Sequence, residues 1–427
     1  MKRVRWLQWL TCRRHCFGVL GLACGALVNA GDPPKLSVER AVALEASDSI
    51  GATKFFQVQE EPERGWPGRL IKTESGLGYD VPPGVKVVRI LYHSRNATGA
   101  DVVASGVVLI PNGVTPPGGW PVIAWGHGTS GVAKQCAPSL MKDIYYGEEG
   151  LFPMVRAGYA VVAPDYSGLG TGEAHQYFDK RALAEDIINA IDAARRAVPS
   201  LGTRWVVDGH SEGGFAAWGV AEKEVKRRDR GYLGAVSVAG AAELRELIGS
   251  MDSDRVSRLY VRLMAFGVHA RFPDFSPSDI LTGPAMQRYR EATTMGCWYY
   301  NYAITHDETG GELRPKWAEN KWVQAFTREN GLADEPIEGP LLLIAGGADR
   351  TEPSKEILTT ALKACRRGLT LYFREYAGLD HDPTMTRSIG FQLQWIRNRF
   401  LGAPFDSNCG DIEKQGGIAQ ADTETQP

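Results

Sequence analysis

Gly209-His210-Ser211-Glu212-Gly213 forms a G-x-S-x-G pattern between the β-branched run Trp205-Val206-Val207 and an Ala-rich helical stretch. In that strand-to-helix context it reads as a nucleophile elbow, a tight turn presenting a serine to a carbonyl carbon. A serine hydroxyl is a weak nucleophile at neutral pH. It needs an imidazole to take its proton and a carboxylate to hold that imidazole in the right tautomer. Asp349 lies 138 residues beyond Ser211, after the apolar run Leu341-Leu342-Leu343-Ile344-Ala345, and His381 lies 32 residues further, after Leu369-Thr370-Leu371-Tyr372-Phe373. Both emerge where a buried strand ends, at the carboxyl edge of a sheet. Ser211, His381 and Asp349 are therefore the expected nucleophile, base and orienting acid.

The oxyanion that forms during attack needs donors placed beforehand. One expected donor is the backbone N–H of Glu212, directly after the nucleophile. The second is the N–H of Thr129, in the loop Gly126-His127-Gly128-Thr129-Ser130-Gly131 that follows the strand Pro121 to Trp125. Losing one such donor typically costs ~3 kcal/mol of transition-state stabilisation.

Other polar residues compete for these roles. His127 is read as a buttress of its own loop, and His210 as pointing away from Ser211 by strand alternation. Asp380 and Asp382 flank His381, but sequence neighbours rarely orient an imidazole in this way. Glu352, three residues past Asp349, is the fallback acid. Asp165 follows a strand and is read as a turn-stabilising group.

The elements that must position these residues alternate in type. Val87 to His93 and Val102 to Ile110 read as an antiparallel pair. Further strands are expected at Val122 to Trp125, Ala160 to Ala163, Trp205 to Val207, Ala235 to Val238, Leu341 to Ala345 and Leu369 to Phe373. Helical periodicity covers Arg181 to Val198, Phe215 to Lys226, Lys355 to Arg366 and Phe391 to Phe400. The expected class is α/β, with a mostly parallel central sheet flanked by helices on both faces.

The expected organisation is a signal peptide over 1–30, an N-terminal extension over 31–65, and a core formed by 66–242 and 339–402. A helical cap is inserted over 243–338, and a disordered polar tail covers 403–427. The inserted stretch is rich in aromatic residues, Tyr260, Phe275, Trp298, Tyr299 and Phe326 among them. Such residues could line an acyl channel, although most aromatics in a stretch of this kind pack as core.

Residues 1–30 carry Lys2, Arg3, Arg5, Arg13 and Arg14 with no acid, then an apolar run from Phe17 to Val28, ending in Val28-Asn29-Ala30. This is a leader pattern with cleavage after Ala30, which implies a secreted or periplasmic mature chain. Arg13-Arg14 as a twin-arginine signal and Cys24 as a lipidated cysteine are weaker variants of the same export reading. The apolar run is too short for a membrane span, and no later segment approaches one. A transient contact with a lipid surface remains compatible with this reading.

The full chain has 48 basic and 50 acidic residues, and loss of the basic leader leaves the remainder more acidic. A nucleic-acid footprint is not expected. Cys136, Cys297, Cys365 and Cys409 lie beyond the leader. Two disulfides are possible in an oxidising compartment, with three connectivities open, and free buried thiols are the alternative.

Several segments together resemble one family. They are Tyr92-His93-Ser94 with Gly99 and the strand to Pro111, Trp125 to Gly131 with Cys136-Ala137-Pro138-Ser139, Pro164 to Gly170, and the elbow itself. From about Trp66 to Phe400 the chain resembles the secretory lipase family of the α/β-hydrolase superfamily, known from fungal lipases and bacterial secreted esterases. The resemblance implies an α/β-hydrolase fold and hydrolysis of small-molecule or lipid acyl esters through an acyl-enzyme. It implies no metal or organic cofactor, and a cap that governs access. Two other functions share these features. A serine peptidase uses the same triad, and an ester and amide panel separates it. A non-catalytic binding module on a hydrolase scaffold would be expected to have lost a triad member, whereas all three candidates are present.

Overall fold

The computed structural model describes residues 35–57, 65–306 and 308–414. The expected leader over 1–30 and the tail from 415 onward lie outside the described residues.

Among the described residues nine strands form one sheet: β1 (Leu70–Ser75), β2 (Lys86–Arg95), β3 (Asp101–Ile110), β4 (Trp120–Gly126), β5 (Ala160–Pro164), β6 (Leu201–His210), β7 (Tyr232–Val238), β8 (Leu341–Gly346) and β9 (Leu371–Tyr376). Their spatial order is β1-β2-β3-β5-β4-β6-β7-β8-β9. The first three strands and the β3/β5 pair are antiparallel, and every pairing from β5 through β4, β6, β7 and β8 to β9 is parallel. This is the mostly parallel α/β-hydrolase sheet expected from the sequence. β1 was not expected. It is an edge strand whose LIKTES sequence alternates half-buried and exposed residues, so it lacks the apolar run that marks the others.

The helices are α1 (Val38–Asp48), α2 (Phe152–Arg156), α3 (Lys180–Ala197), α4 (Glu212–Arg227), α5 (Leu244–Ser253), α6 (Leu259–Arg271), α7 (Gly283–Thr294), α8 (Trp298–Thr305), α9 (Lys321–Glu329), α10 (Ser354–Arg366) and α11 (His381–Phe400). Alternation along the strands sends side chains to opposite faces of the sheet. Val122, Val207, Leu341 and Leu343 pack in one cluster with Ile187 of α3, Phe215 of α4 and Ile357 of α10. Ile123, Val206, Leu342 and Ile344 pack in a second with Met154 of α2 and Met385 and Ile396 of α11. Burial on both faces is why these strands read as unbroken apolar runs.

α11 is ten residues longer at its start than the periodicity suggested. Pro383 and the polar residues around it hide the first turn from a periodicity argument. Proline is tolerated there because first-turn N–H groups have no partner within the helix. Five helices, α5 to α9, lie between β7 and β8. Their buried Leu259, Leu263 and Phe326, with Phe275 of the connection after α6, join the cluster on the first face of the sheet. Arg262 of α6, fully buried, forms ion pairs with Glu308 and Glu312 through Nη2.

The tail reading needs correction over 403–414. Asn408 accepts from the Phe373 N–H and donates to its carbonyl, covering the edge of β9, while Ile412 is buried. Cys409 is bonded to Cys365 of α10. One side-chain amide, one apolar residue and one cross-link hold a segment whose composition is otherwise polar. The other disulfide joins Cys136 to Cys297, so one of the three open connectivities is selected.

Candidate active site

β4, β6, β8 and β9 each deliver a residue of interest just beyond their carboxyl ends. Thr129 follows β4, Ser211 follows β6, Asp349 follows β8, and His381 opens α11 after β9. That edge is where ligands bind in parallel α/β sheets.

Ser211 sits at φ 57° and ψ −125°, a strained conformation for a residue with a side chain. Its N–H donates to the Val238 carbonyl at 2.9 Å, and its own carbonyl accepts from Phe215 at 3.0 Å. The flanking glycines explain why the turn can be so tight. A Cβ on Gly209 would collide with the Gly213 carbonyl, and one on Gly213 with the Gly126 carbonyl at the end of β4. α4 therefore begins directly against the sheet, and Glu212 is its first residue. First-turn N–H groups lack intrahelical partners, so the Glu212 N–H is available to an anion beside Ser211.

His381 Nδ1 lies 2.8 Å from Asp349 Oδ2. The other Asp349 oxygen accepts from the backbone N–H groups of Thr351 and Glu352 at 2.9 and 2.8 Å, which aims the carboxylate at the imidazole. Asp380 caps α11 by accepting from the His381 N–H at 2.9 Å and also accepts from the Arg350 N–H at 3.3 Å, tying the Asp349 loop to the histidine helix. Burial disfavours the His381 cation, but the Asp349 carboxylate outweighs it, with Asp382 and Glu352 contributing, and raises the imidazole above its ordinary value. His381 Nε2 is buried and makes no hydrogen bond to protein among the described residues, so its bond to Ser211 is not closed. Both residues line the same cavity, of about 90 Å³, with Thr129, Tyr145, Tyr260, Trp298 and Tyr299. A second depression, bounded by Pro121, Tyr159, Arg397 and Phe400, lies near the start of β4, at the opposite edge from Ser211.

The competing residues have other tasks. The His127 ring nitrogens lie 2.7 and 3.1 Å from the carbonyls of Gly128 and Asp165. His210 lies 2.9 Å from the Tyr146 hydroxyl and 3.3 Å from the His381 carbonyl, and burial holds it well below the ordinary imidazole value. Asp165 is fully buried and accepts from Ser105 Oγ, Ser139 Oγ and the Ser139 N–H, so it cross-braces the core and does more than stabilise a turn. Glu352 is buried and points one oxygen at the Ala242 N–H, 3.4 Å away, leaving the imidazole to Asp349.

Sequence reasoning missed two features. Asp380 carries the signal of an acidic residue immediately before a helix start. The polar group formed by Thr129, His175, Tyr177 and the Glu212 side chain carries none, because it draws on three separate stretches of the chain.

A family model described as secretory lipase matches residues 144–408. The chain belongs to the secretory lipase family. The matched residues include Ser211, Asp349 and His381, and Thr129 precedes them. Membership makes the chain a hydrolase of the lipase/esterase type. No curated protein sequence matches it.

Solved structures share the fold. The closed state of Candida antarctica lipase A superposes with a TM-score of 0.69 at 14% identity, covering 81% of this chain and 85% of that one. The rice cell wall degrading esterase LipA from Xanthomonas oryzae gives a TM-score of 0.63 at 20% identity, covering 79% and 99%. A putative hydrolase from Legionella pneumophila gives 0.64 at 18%, covering 78% and 98%. At these identities the likeness concerns the fold. Among the described residues of this secretory lipase family member, no helix is long and apolar enough to cross a membrane.

Proposed function

We propose that the chain is an exported serine esterase that cleaves acyl esters through a covalent intermediate on Ser211. The observation that carries this reading is the His381 Nδ1 to Asp349 Oδ2 contact of 2.8 Å, which leaves Nε2 as the nitrogen facing the cavity shared with Ser211. Ser211 Oγ attacks the ester carbonyl carbon as its proton passes to His381 Nε2. The carbonyl oxygen takes the negative charge and is held by the N–H groups of Glu212 and Thr129. Collapse expels the alcohol, which takes the proton from His381 and leaves an acyl ester on Ser211. Water then attacks that ester with the same proton relay, releasing the acid and restoring the serine.

The helices between β7 and β8 act as the cap in this account. Tyr260 of α6 and Trp298 and Tyr299 of α8 wall the cavity from that side. Export rests on the leader pattern, and two disulfides favour an oxidising destination.

Fluorophosphonate labelling tests the nucleophile, and N-terminal sequencing of the exported chain tests cleavage after Ala30. The reading expects one adduct, on Ser211, and faster turnover of p-nitrophenyl esters than of matched anilides. A folded protein that stays unlabelled contradicts it.

A further inference from the structure

The side chain of Glu212 is not used by the reaction as described, yet it is almost completely buried behind the site. Its Oε2 accepts from Thr129 Oγ1 at 3.3 Å, and its Oε1 lies 3.1 Å from His175 Nε2. Thr129 Oγ1 is also 2.7 Å from the Tyr177 hydroxyl, and His175 Nδ1 is 3.1 Å from the Ser167 carbonyl. His175, Thr129 and Tyr177 are all buried. The carboxylate thus joins the two residues whose backbone N–H groups are proposed above to hold the oxyanion, one on α4 and one on the loop after β4.

We propose that Glu212 is a positioning residue whose side chain fixes the spacing of the two oxyanion donors, with His175 holding its other carboxylate oxygen. The inference rests on the reading of Ser211 as nucleophile and adds to it. Catalytic donors act only if they are held where the charge will form, because a donor that must reorganise loses most of its value. A loop donor such as Thr129 has no helix to hold it, and here the hydroxyl to carboxylate bond supplies that restraint. The buried carboxylate carries a hazard of its own. Without a hydrogen-bond partner at Oε1 it would repel the oxyanion at short range in a site of low dielectric, and among the described residues His175 is the imidazole in contact with it.

The test compares Glu212→Ala, Glu212→Gln, His175→Ala and the His175→Ala/Glu212→Gln double variant in kcat, KM, melting temperature and affinity for an alkylboronic acid, which forms a tetrahedral adduct with a serine nucleophile. Glu212→Ala is expected to lose about 10- to 100-fold in kcat, less than the full loss of a donor, with KM within about twofold. Boronate affinity falls by the same factor. Glu212→Gln keeps the acceptor and recovers most of that loss. His175→Ala loses more than Glu212→Ala, and the double variant recovers part of it. The proposal is overturned if folded Glu212→Ala keeps kcat and boronate affinity within about threefold of the parent. It is also overturned if Glu212→Gln is as impaired as Glu212→Ala. Ser211→Ala in the same assays separates the two levels: turnover surviving in that variant rejects the nucleophile itself, whereas its loss beside an unaffected Glu212→Ala rejects only the bridge.

Discussion

Cys136 and Cys297 form a disulfide across 161 residues, joining the segment behind the Thr129 loop to the start of α8. The next two residues, Trp298 and Tyr299, line the cavity over Ser211. Glu45 of α1 accepts from the backbone N–H groups of Cys297 and Tyr300, so the same helix start is held from a second direction. The bond therefore fastens one wall of the cavity to the segment that follows the Thr129 loop.

Replacing both cysteines by serine should release that wall. Cross-links closing long loops typically contribute about 2–4 kcal/mol, so a melting temperature lower by roughly 5 °C is expected, together with a fall in kcat/KM. The Cys365→Ser/Cys409→Ser pair should lower the melting temperature while leaving kcat/KM of the folded protein near parental, because that bond fastens the C-terminal segment to α10. Equal kinetic effects from the two pairs would count against a link between the first bond and the site.

Asp349→Asn should reduce kcat by about 10⁴ while the protein stays folded, since an amide there favours the wrong imidazole tautomer. The carboxylate also raises the His381 pKa. Its removal should shift the acid limb of the kcat/KM profile to lower pH. A loss under tenfold would transfer the orienting role to another acid.

Glu352 is the nearby acid that does not orient the histidine. Burial pushes its carboxyl up to about 8, opposed by His381 and reinforced by Asp349. The folded protein thus holds a proton that the unfolded chain releases from its ordinary value of 4.5 upward. Stability from this group declines as pH rises between those two values. Glu352→Gln removes the dependence, so its melting temperature relative to the parent should climb between pH 5 and pH 8. An offset that stays constant with pH would contradict the assignment.

Trp298 donates its indole N–H to the Tyr260 hydroxyl at 2.8 Å and stacks on Tyr302, which holds its ring in the cavity wall. Trp298→Ala should enlarge the site and move the kcat/KM optimum toward longer acyl chains by about tenfold per favoured step, as pocket size typically does. An acyl series from acetate to palmitate reads this directly, and an unchanged profile would place the acyl group elsewhere.

Much of this was legible in the sequence because each catalytic candidate ends a strong apolar strand, and such runs report a sheet buried on both faces. Ser211 was marked by its flanking glycines, whose reason is the backbone contact between α4 and β4. Asp349 could be preferred over Glu352 only by its place at the strand end, and the structure adds the two backbone N–H groups that aim it. The pairing of the cysteines was not legible, nor was the Glu212 bridge. Both depend on contacts between residues dozens to more than a hundred positions apart, which no local pattern encodes. The ordered stretch 403–414 escaped for a similar reason, being held by Asn408, Cys409 and Ile412 against elements distant in sequence.

The central claim is that Ser211 becomes acylated. Rapid-quench mass spectrometry of the enzyme with a p-nitrophenyl ester measures this. The account predicts an acyl adduct confined to Ser211 in the parent, and in folded Ser211→Ala no adduct with kcat lower by about 10⁶. An adduct on another residue, or turnover within tenfold of the parent in Ser211→Ala, would contradict it.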